Sequence, residues 1–443
     1  MKREEVVNHL KTFDPEIYGL LEEERQRQRY TLSLMPNMNA MSPFAKYLEG
    51  SVLTNSFFDR HDETTSGGLH LDAFVRARAV ELFHCDHAIV RLGNIVAASR
   101  VVFQALLDPG DTVLSFNLRK KDHVAGLSYN FENYGIEPGT QEIDWGAVRE
   151  QAERVKPRLI IFSPVSYPRI PNYQRLAAVA REVGAYLWVD IGQCVGLIAA
   201  GLIPSPVPLA DVVSFPTGDS LRGPEGAVLL CKKELADQLD TAVVNSGHTA
   251  LYANRLAALA FALHAAAQPK FRAYGEQVLR NAKALAASLE SRGATLLCGG
   301  TETHLVLAAP VPNVDTTDAV HALARMGVQT KRDRISTMRS EMVLSALRLS
   351  ALNPTTRGLK EEDMTLVGQM LARVLSGGIS AHEEDEIRTA IAKLIIDKPI
   401  FSEEWINTEA MASIFYPEAD TNEVHEHAAS ERMNIIKNLF HKE

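Results

Sequence analysis

Cysteine is scarce: the 443 residues hold four thiols, Cys85, Cys194, Cys231 and Cys298, and no two of them stand at a short spacing. That excludes a disulfide framework or a zinc knuckle as the organising device. Long apolar runs are missing too. None reaches the roughly 18 residues that a membrane span requires, and the richest stretch, residues 256–267, is interrupted by His264. There is no excess of basic charge either, with 46 Lys+Arg against 55 Asp+Glu and a net charge of −9. Nucleic acid and anionic membranes reward the opposite balance, so neither is expected as a partner. The opening residues Met1-Lys2-Arg3-Glu4-Glu5 carry no apolar signal core, and a reducing cytoplasm is the expected location.

What is present is an ordinary globular composition, 46% hydrophobic and 23% charged. The length allows several domains of roughly 100–200 residues each. Short, almost wholly apolar runs at 88–91, 112–115, 159–162, 186–189, 212–215 and 227–230 read as strands buried on both faces. Helical spacing at 96–107 and 173–183 separates some of them, with breakers at Pro109-Gly110-Asp111 and Gly184. Alternating units of this kind predict a large doubly wound α/β domain with a parallel sheet. Helical sequence from 253 to 292 is followed by strands near 295–297, 305–308 and 347–349 and helices at 317–326 and 361–375, a smaller α+β pattern. Ser376-Gly377-Gly378 marks a break, after which come a helix at 383–395 and a tail with a last amphipathic helix near 422–440.

Ligands in open α/β sheets bind beyond the carboxyl ends of the strands. The polar residues at those places are Asn94, Arg119 to His123, Ser163 and Ser166, Asp190 and Gln193, and Thr217 to Ser220. Any one of them can be a helix cap or a loop anchor; several at one edge make a pocket. Other features read as structural. His425-Glu426-His427 puts its imidazoles on different faces of a helix, Gly67-Gly68 and Gly299-Gly300 read as turns, and Arg25, Arg27 and Arg29 read as an exposed or interface helix face.

Several stretches, in order from about residue 14 to residue 400, carry a resemblance. They include Gly50-Ser51-Val52-Leu53-Thr54-Asn55, Leu107-Asp108-Pro109-Gly110-Asp111, Leu187-Trp188-Val189-Asp190, Gly201-Leu202-Ile203-Pro204-Ser205-Pro206, Leu221-Arg222-Gly223-Pro224 and Thr355-Thr356-Arg357-Gly358. The chain resembles serine hydroxymethyltransferase, a pyridoxal-phosphate enzyme of the aspartate-aminotransferase fold, fold type I. The resemblance implies an amino-terminal arm (1–50), a large α/β cofactor-type domain (51–265) and a small carboxy-terminal α+β domain (266–400), and an extra helical tail (401–443) lies beyond it. It also implies a homodimer with active sites between subunits and the arm wrapped over the partner.

The site departs from the family pattern. Where the family reads Thr-Thr-Thr-His-Lys-Thr-Leu-Arg-Gly-Pro-Arg-Gly-Gly, this chain reads Ser214-Phe215-Pro216-Thr217-Gly218-Asp219-Ser220-Leu221-Arg222-Gly223-Pro224-Glu225-Gly226. Asp219 stands in place of the Schiff-base lysine, and a carboxylate cannot form an imine with an aldehyde. Asp190 matches the partner of the pyridine nitrogen, His123 the histidine stacked on the ring, and Arg348 the arginine that binds the substrate carboxylate. Asn94-Ile95-Val96 replaces the phosphate cup, and Ser246-Gly247-His248-Thr249-Ala250 replaces the glycine-rich loop that reaches the phosphate from the partner subunit. Asp59 and Phe57 replace the catalytic glutamate and its tyrosine neighbour, Asn37-Met38-Asn39 a Ser-Glu-Asn, and Gln193 a histidine near the ring. Pyridoxal or pyridoxamine phosphate is therefore expected non-covalently between His123 and Asp190 or not at all, and tetrahydrofolate use is unsupported.

Three functional readings follow. The first is an enzyme acting on an amino acid or other small carboxylate, with Arg348 and Ser166 holding substrate and Asp219, Asp59 and His123 as acid/base groups. Its reaction would be an aldol-type step, a one-carbon transfer or related lyase or transferase chemistry, and crowding should push its carboxylate pKa values apart. The second is a non-catalytic homologue serving as a binding or scaffold dimer. The third is a divalent-metal site made by His123, Asp190 and Asp219.

Overall fold

The computed structural model describes residues 3–55, 57–59, 66–116, 128–248, 250–336 and 343–406. Its centre is a seven-stranded sheet. In chain order the strands are β1 (His87–Leu92), β2 (Thr112–Phe116), β3 (Asn130–Tyr134), β4 (Leu159–Phe162), β5 (Tyr186–Asp190), β6 (Val212–Pro216) and β7 (Ala227–Cys231). Across the sheet they run β1-β7-β6-β5-β4-β2-β3. β3, β2, β4, β5 and β6 run parallel to one another, whereas β7 is antiparallel to both β1 and β6, so the sheet is mixed rather than wholly parallel.

Alternate residues along each strand bury on opposite faces. Val90, Leu114, Ile160, Leu187, Val213 and Leu230 join one core cluster, while Ile89, Val113, Ile161, Trp188, Val212 and Leu229 join another. The first cluster lies against the Ser66–Phe83 and Ala253–Ala266 helices, and the second against the Ile95–Leu106 and Ala236–Asn245 helices. Gly67 and Gly68, read from sequence as a turn, lie in the first turn of the Ser66–Phe83 helix, where unsatisfied N–H groups make glycine's poor helix propensity cheap.

A four-stranded antiparallel sheet follows, with strands β8 (Thr295–Leu296), β9 (Leu305–Ala309), β10 (Lys331–Ser336) and β11 (Val343–Ser350) in the order β8-β9-β11-β10. One face, carrying Val306, Ala308, Leu347 and Leu349, packs on the Pro269–Ser291 and Glu361–Leu375 helices. The other face, carrying Leu307, Ile335 and Ala346, joins the core cluster of the large sheet. Leu32 and Leu34 from the amino-terminal arm and Phe401, Trp405 and Ile406 beyond the last long helix complete the small-sheet core. The anticipated helix near 422–440 and the His425-Glu426-His427 run lie outside the described residues. Among the described residues no helix is long and apolar enough to cross a membrane.

Candidate functional site

The carboxyl ends of β5 and β6 supply the first acids. Asp190 closes β5; its Oδ1 accepts from the Gly192 N–H at 2.9 Å and its Oδ2 from the Ser214 hydroxyl at 2.9 Å. Ser214 accepts in turn from the Trp188 indole N–H at 2.9 Å, so the carboxyl's orientation is set from within the sheet. Gly192 makes this turn feasible, because a Cβ there would lie 2.7 Å from Pro216 Cδ at the end of β6. Burial pushes the Asp190 carboxyl up to about 6, outweighing the two donors that favour its charge.

β6 ends at Pro216 and the chain folds back: the Thr217 N–H donates to Gly226 O at 3.0 Å, and the Thr217 hydroxyl to Pro224 O at 2.5 Å. Asp219 opens a single short turn inside this loop, at a φ of +39° that aspartate tolerates better than most residues. Asn39 steadies it, donating from Nδ2 to Asp219 O at 2.9 Å and to Tyr274 Oη at 3.1 Å. The Asp219 carboxyl is pushed up to about 6 by burial and by the charge of Glu225, with Arg348 acting against them. The two aspartates thus shift in the same direction, each chiefly through desolvation, and not apart through mutual crowding as the sequence suggested.

Arg348 comes from β11, opposite Leu307 of β9, so the strand's alternation aims it to the side of the small sheet that meets the large one. It is 2% exposed. Its Nη1 lies 3.5 Å from Asp333 Oδ2 on β10, and the Ser166 hydroxyl donates to that same oxygen. Asp333 Oδ1 accepts from the Arg334 N–H at 2.8 Å. Arg348 Nε and Nη2 have no hydrogen-bond partner among the described residues. Burial lowers the guanidinium's pKa, while Asp333 and Asp219 raise it.

A buried histidine links these parts. His304 Nε2 lies 2.6 Å from Gln193 O, and Nδ1 lies 2.9 Å from Ser350 Oγ. Burial holds its pKa down to about 3, so the ring is neutral; Nε2–H donates to the carbonyl and Nδ1 accepts from the hydroxyl. The loop after Asp190 is thereby tied to the strand that carries Arg348. Gln193 Oε1 is buried without a partner among the described residues. Sequence reasoning named neither His304 nor Asp333. The available signals were a histidine immediately before an apolar strand and an acid within Lys331-Arg332-Asp333-Arg334.

The other expected site residues fall as follows. Asn94 is the N-cap of the Ile95–Leu106 helix: its Oδ1 accepts from the Ala97 N–H at 2.9 Å and so covers a donor that an anion would use. Asp59 lies on a short strand, Phe57–Asp59, that pairs antiparallel with Ala250–Tyr252, Asp59 opposite Ala250. The side chain of Asp59, and the whole of His123, lie outside the described residues. Among the described residues no group of three or more His, Cys, Asp or Glu side chains is set to hold a metal ion.

Two further arginines stand close by in sequence. Arg222 stacks with its Cζ 3.9 Å from the Tyr274 ring centroid and 5.0 Å from that of Phe401. Arg357 donates to six backbone carbonyls, those of Gln28, Arg29, Thr31, Ile395, Lys398 and Pro399.

Among known proteins, the family model described as Serine hydroxymethyltransferase fits residues 10–371. Members of that family have the fold-type-I architecture, use pyridoxal phosphate and tetrahydrofolate, and assemble as homodimers or tetramers. The mixed sheet flanked by helices is consistent with that fold.

Proposed function

This chain belongs to the serine hydroxymethyltransferase family, and we propose that it is a divergent member that acts on an amino acid or other small carboxylate without a lysine Schiff base. The observation that carries the reading is the free edge of Arg348. Nε and Nη2 form the side of a guanidinium that grips a carboxylate with two parallel hydrogen bonds, and here that side is buried and unpartnered among the described residues. A desolvated, half-satisfied cation is costly to keep, and an anion placed on it removes the cost.

Pyridoxal phosphate fits this site poorly. Asp190 could face a ring nitrogen, but Asp219 offers no amine for an imine, and Asn94 caps the helix terminus where the phosphate would sit. The proposed chemistry is therefore carried by the protein's own side chains, without pyridoxal phosphate or tetrahydrofolate. Asp219 and Asp190, both with pKa about 6, suit proton transfer near neutrality. In this reading Arg348 orients the substrate carboxylate, Ser166 holds the arginine's counter-ion, and Asp219 takes or returns a proton at the neighbouring carbon or its substituent in an aldol-type or related lyase or transferase step. Asp59 and His123 remain proposed contributors. A homodimer is proposed with it, supported by the exposed Phe13, Ile17, Leu20 and Leu21 on the amino-terminal helices.

The test is Arg348→Ala. It should abolish product formation and small-carboxylate binding while sedimentation shows an unchanged oligomer. Full activity in that variant would sink the proposal, and a protein without any activity or carboxylate affinity would leave the scaffold reading in its place. Borohydride treatment with added pyridoxal phosphate should trap no cofactor at the site, and cofactor fixed there on another lysine would overturn the Schiff-base-free chemistry.

A further inference from the structure

Arg348 does not meet its ligand as a bare cation. Its Nη1 is already taken by Asp333, 3.5 Å away, and Asp333 is itself fixed from two sides: the Ser166 hydroxyl holds the oxygen that faces the arginine, and the Arg334 N–H holds the other at 2.8 Å. This carboxylate is part of the sheet. β10 and β11 pair Asp333 with Ala346, two residues from Arg348 along the strand, so backbone register delivers it to the guanidinium. Displacing it would break the Ser166 contact and the hydrogen bond from the Arg334 N–H. The edge formed by Nε and Nη2 has no partner among the described residues, and an anion that lands there lies beside Asp333.

We infer that Asp333 is a specificity-determining and positioning residue: it presents the Nε and Nη2 edge of Arg348 to a single carboxylate, and its fixed negative charge rejects dianionic ligands such as dicarboxylates and phosphate. This rests on the reading of Arg348 as a carboxylate anchor. The charge count supports it. One guanidinium faces Asp333 and lies in the field of Asp219, so the cation is already matched before any ligand arrives. A monoanion adds one negative charge and gains two charge-assisted hydrogen bonds. A dianion gains the same pair of bonds but brings a second negative charge beside Asp333, and repulsion at a buried site is poorly screened. Building repulsion against the wrong ligand is a general route to selectivity.

Calorimetric titration of the full-length protein with propionate and with malonate, which are similar in size and differ in charge, tests the inference. The wild type should prefer propionate, and Asp333→Asn should cut the ratio of the two affinities by about tenfold or more. Asp333→Glu should keep the preference. Ser166→Ala, which loosens Asp333 but leaves its charge, should weaken both ligands and hold the ratio. An unchanged ratio in Asp333→Asn, or an equal loss for both ligands, overturns the role assigned to Asp333. If propionate binds equally well to Arg348→Ala, the underlying reading of Arg348 fails instead.

Discussion

Arg348 and Arg357 are close in sequence and almost equally buried, at 2% and 1% exposure, yet their surroundings differ in kind. Arg357 sits where helix Pro15–Tyr30 and helix Ala381–Ile395 both end, and its guanidinium gathers the carbonyls that those ends leave unpaired. The negative ends of two helix dipoles point at one cation. Nothing is left over for a ligand. Arg348 has one carboxylate on Nη1 and nothing among the described residues on Nε or Nη2. Burial alone therefore does not separate a structural arginine from a binding one; the accounting of donors does.

The largest expected effect falls on the satisfied arginine. Arg357→Met strands six carbonyls and uncouples the amino-terminal arm from residues 395–399, and it should cost about 3–5 kcal/mol of stability, as breaking a buried charged network does. Chemical denaturation measures it, and hydrogen exchange should show 15–31 and 381–399 losing protection together. A loss under about 1 kcal/mol would erase the contrast with Arg348.

The next effect concerns pH. Asp190 and Asp219 have folded pKa values of about 6 against 3.8 for the ordinary carboxyl, so the folded state keeps protons that the unfolded chain has released. Their contribution to stability is complete below about pH 4 and is lost as pH rises through about 6, by roughly 2–3 kcal/mol per group. His304, with its pKa lowered to about 3, acts in the opposite sense, its contribution being lost as pH falls below 6.5. Comparing wild type with Asp190→Asn/Asp219→Asn therefore isolates the pair. The double variant should gain on the wild type between about pH 4 and pH 7, and parallel curves would show that the two carboxyls are not desolvated.

Smaller again is the cap at Asn94. Asn94→Ala should cost about 1 kcal/mol, whereas Asn94→Gly should cost only a few tenths, because a glycine leaves the helix terminus open to water. Equal losses would mean that the Ala97 N–H has another acceptor.

Much of this was legible in the sequence where one physical cause dominates. The apolar strands β1, β2, β4, β5, β6 and β7 announced themselves, because a strand covered on both faces has no polar positions to confuse the pattern. Two edge strands, β3 and β10, did not. Asn130–Tyr134 buries only Tyr134, and Lys331–Ser336 is rich in charge, which the edge of a sheet tolerates. The site follows the same rule. Asp190, Asp219 and Arg348 could be named from strand ends and from motif position. Asp333, His304 and the role of Arg357 depend on register between strands and on which helix ends meet, and those are tertiary facts.

The smallest expected change in stability is the most discriminating. Arg348→Met removes a desolvated cation whose fork is unsatisfied and replaces it with an apolar side chain that suits the apolar strand around it. The variant loses the Asp333 ion pair, but Asp333 keeps Ser166 and the Arg334 N–H and is itself partly exposed to water. The net change should stay within about 1 kcal/mol, and a gain is the expected sign if the desolvation cost exceeds the single ion pair. Carboxylate binding should meanwhile disappear. A protein that is as stable as before, or more so, and no longer binds propionate would show that Arg348 is maintained at the expense of the fold for the sake of a ligand. A loss as large as that of Arg357→Met would place both arginines in the same structural class and remove the basis for a binding role.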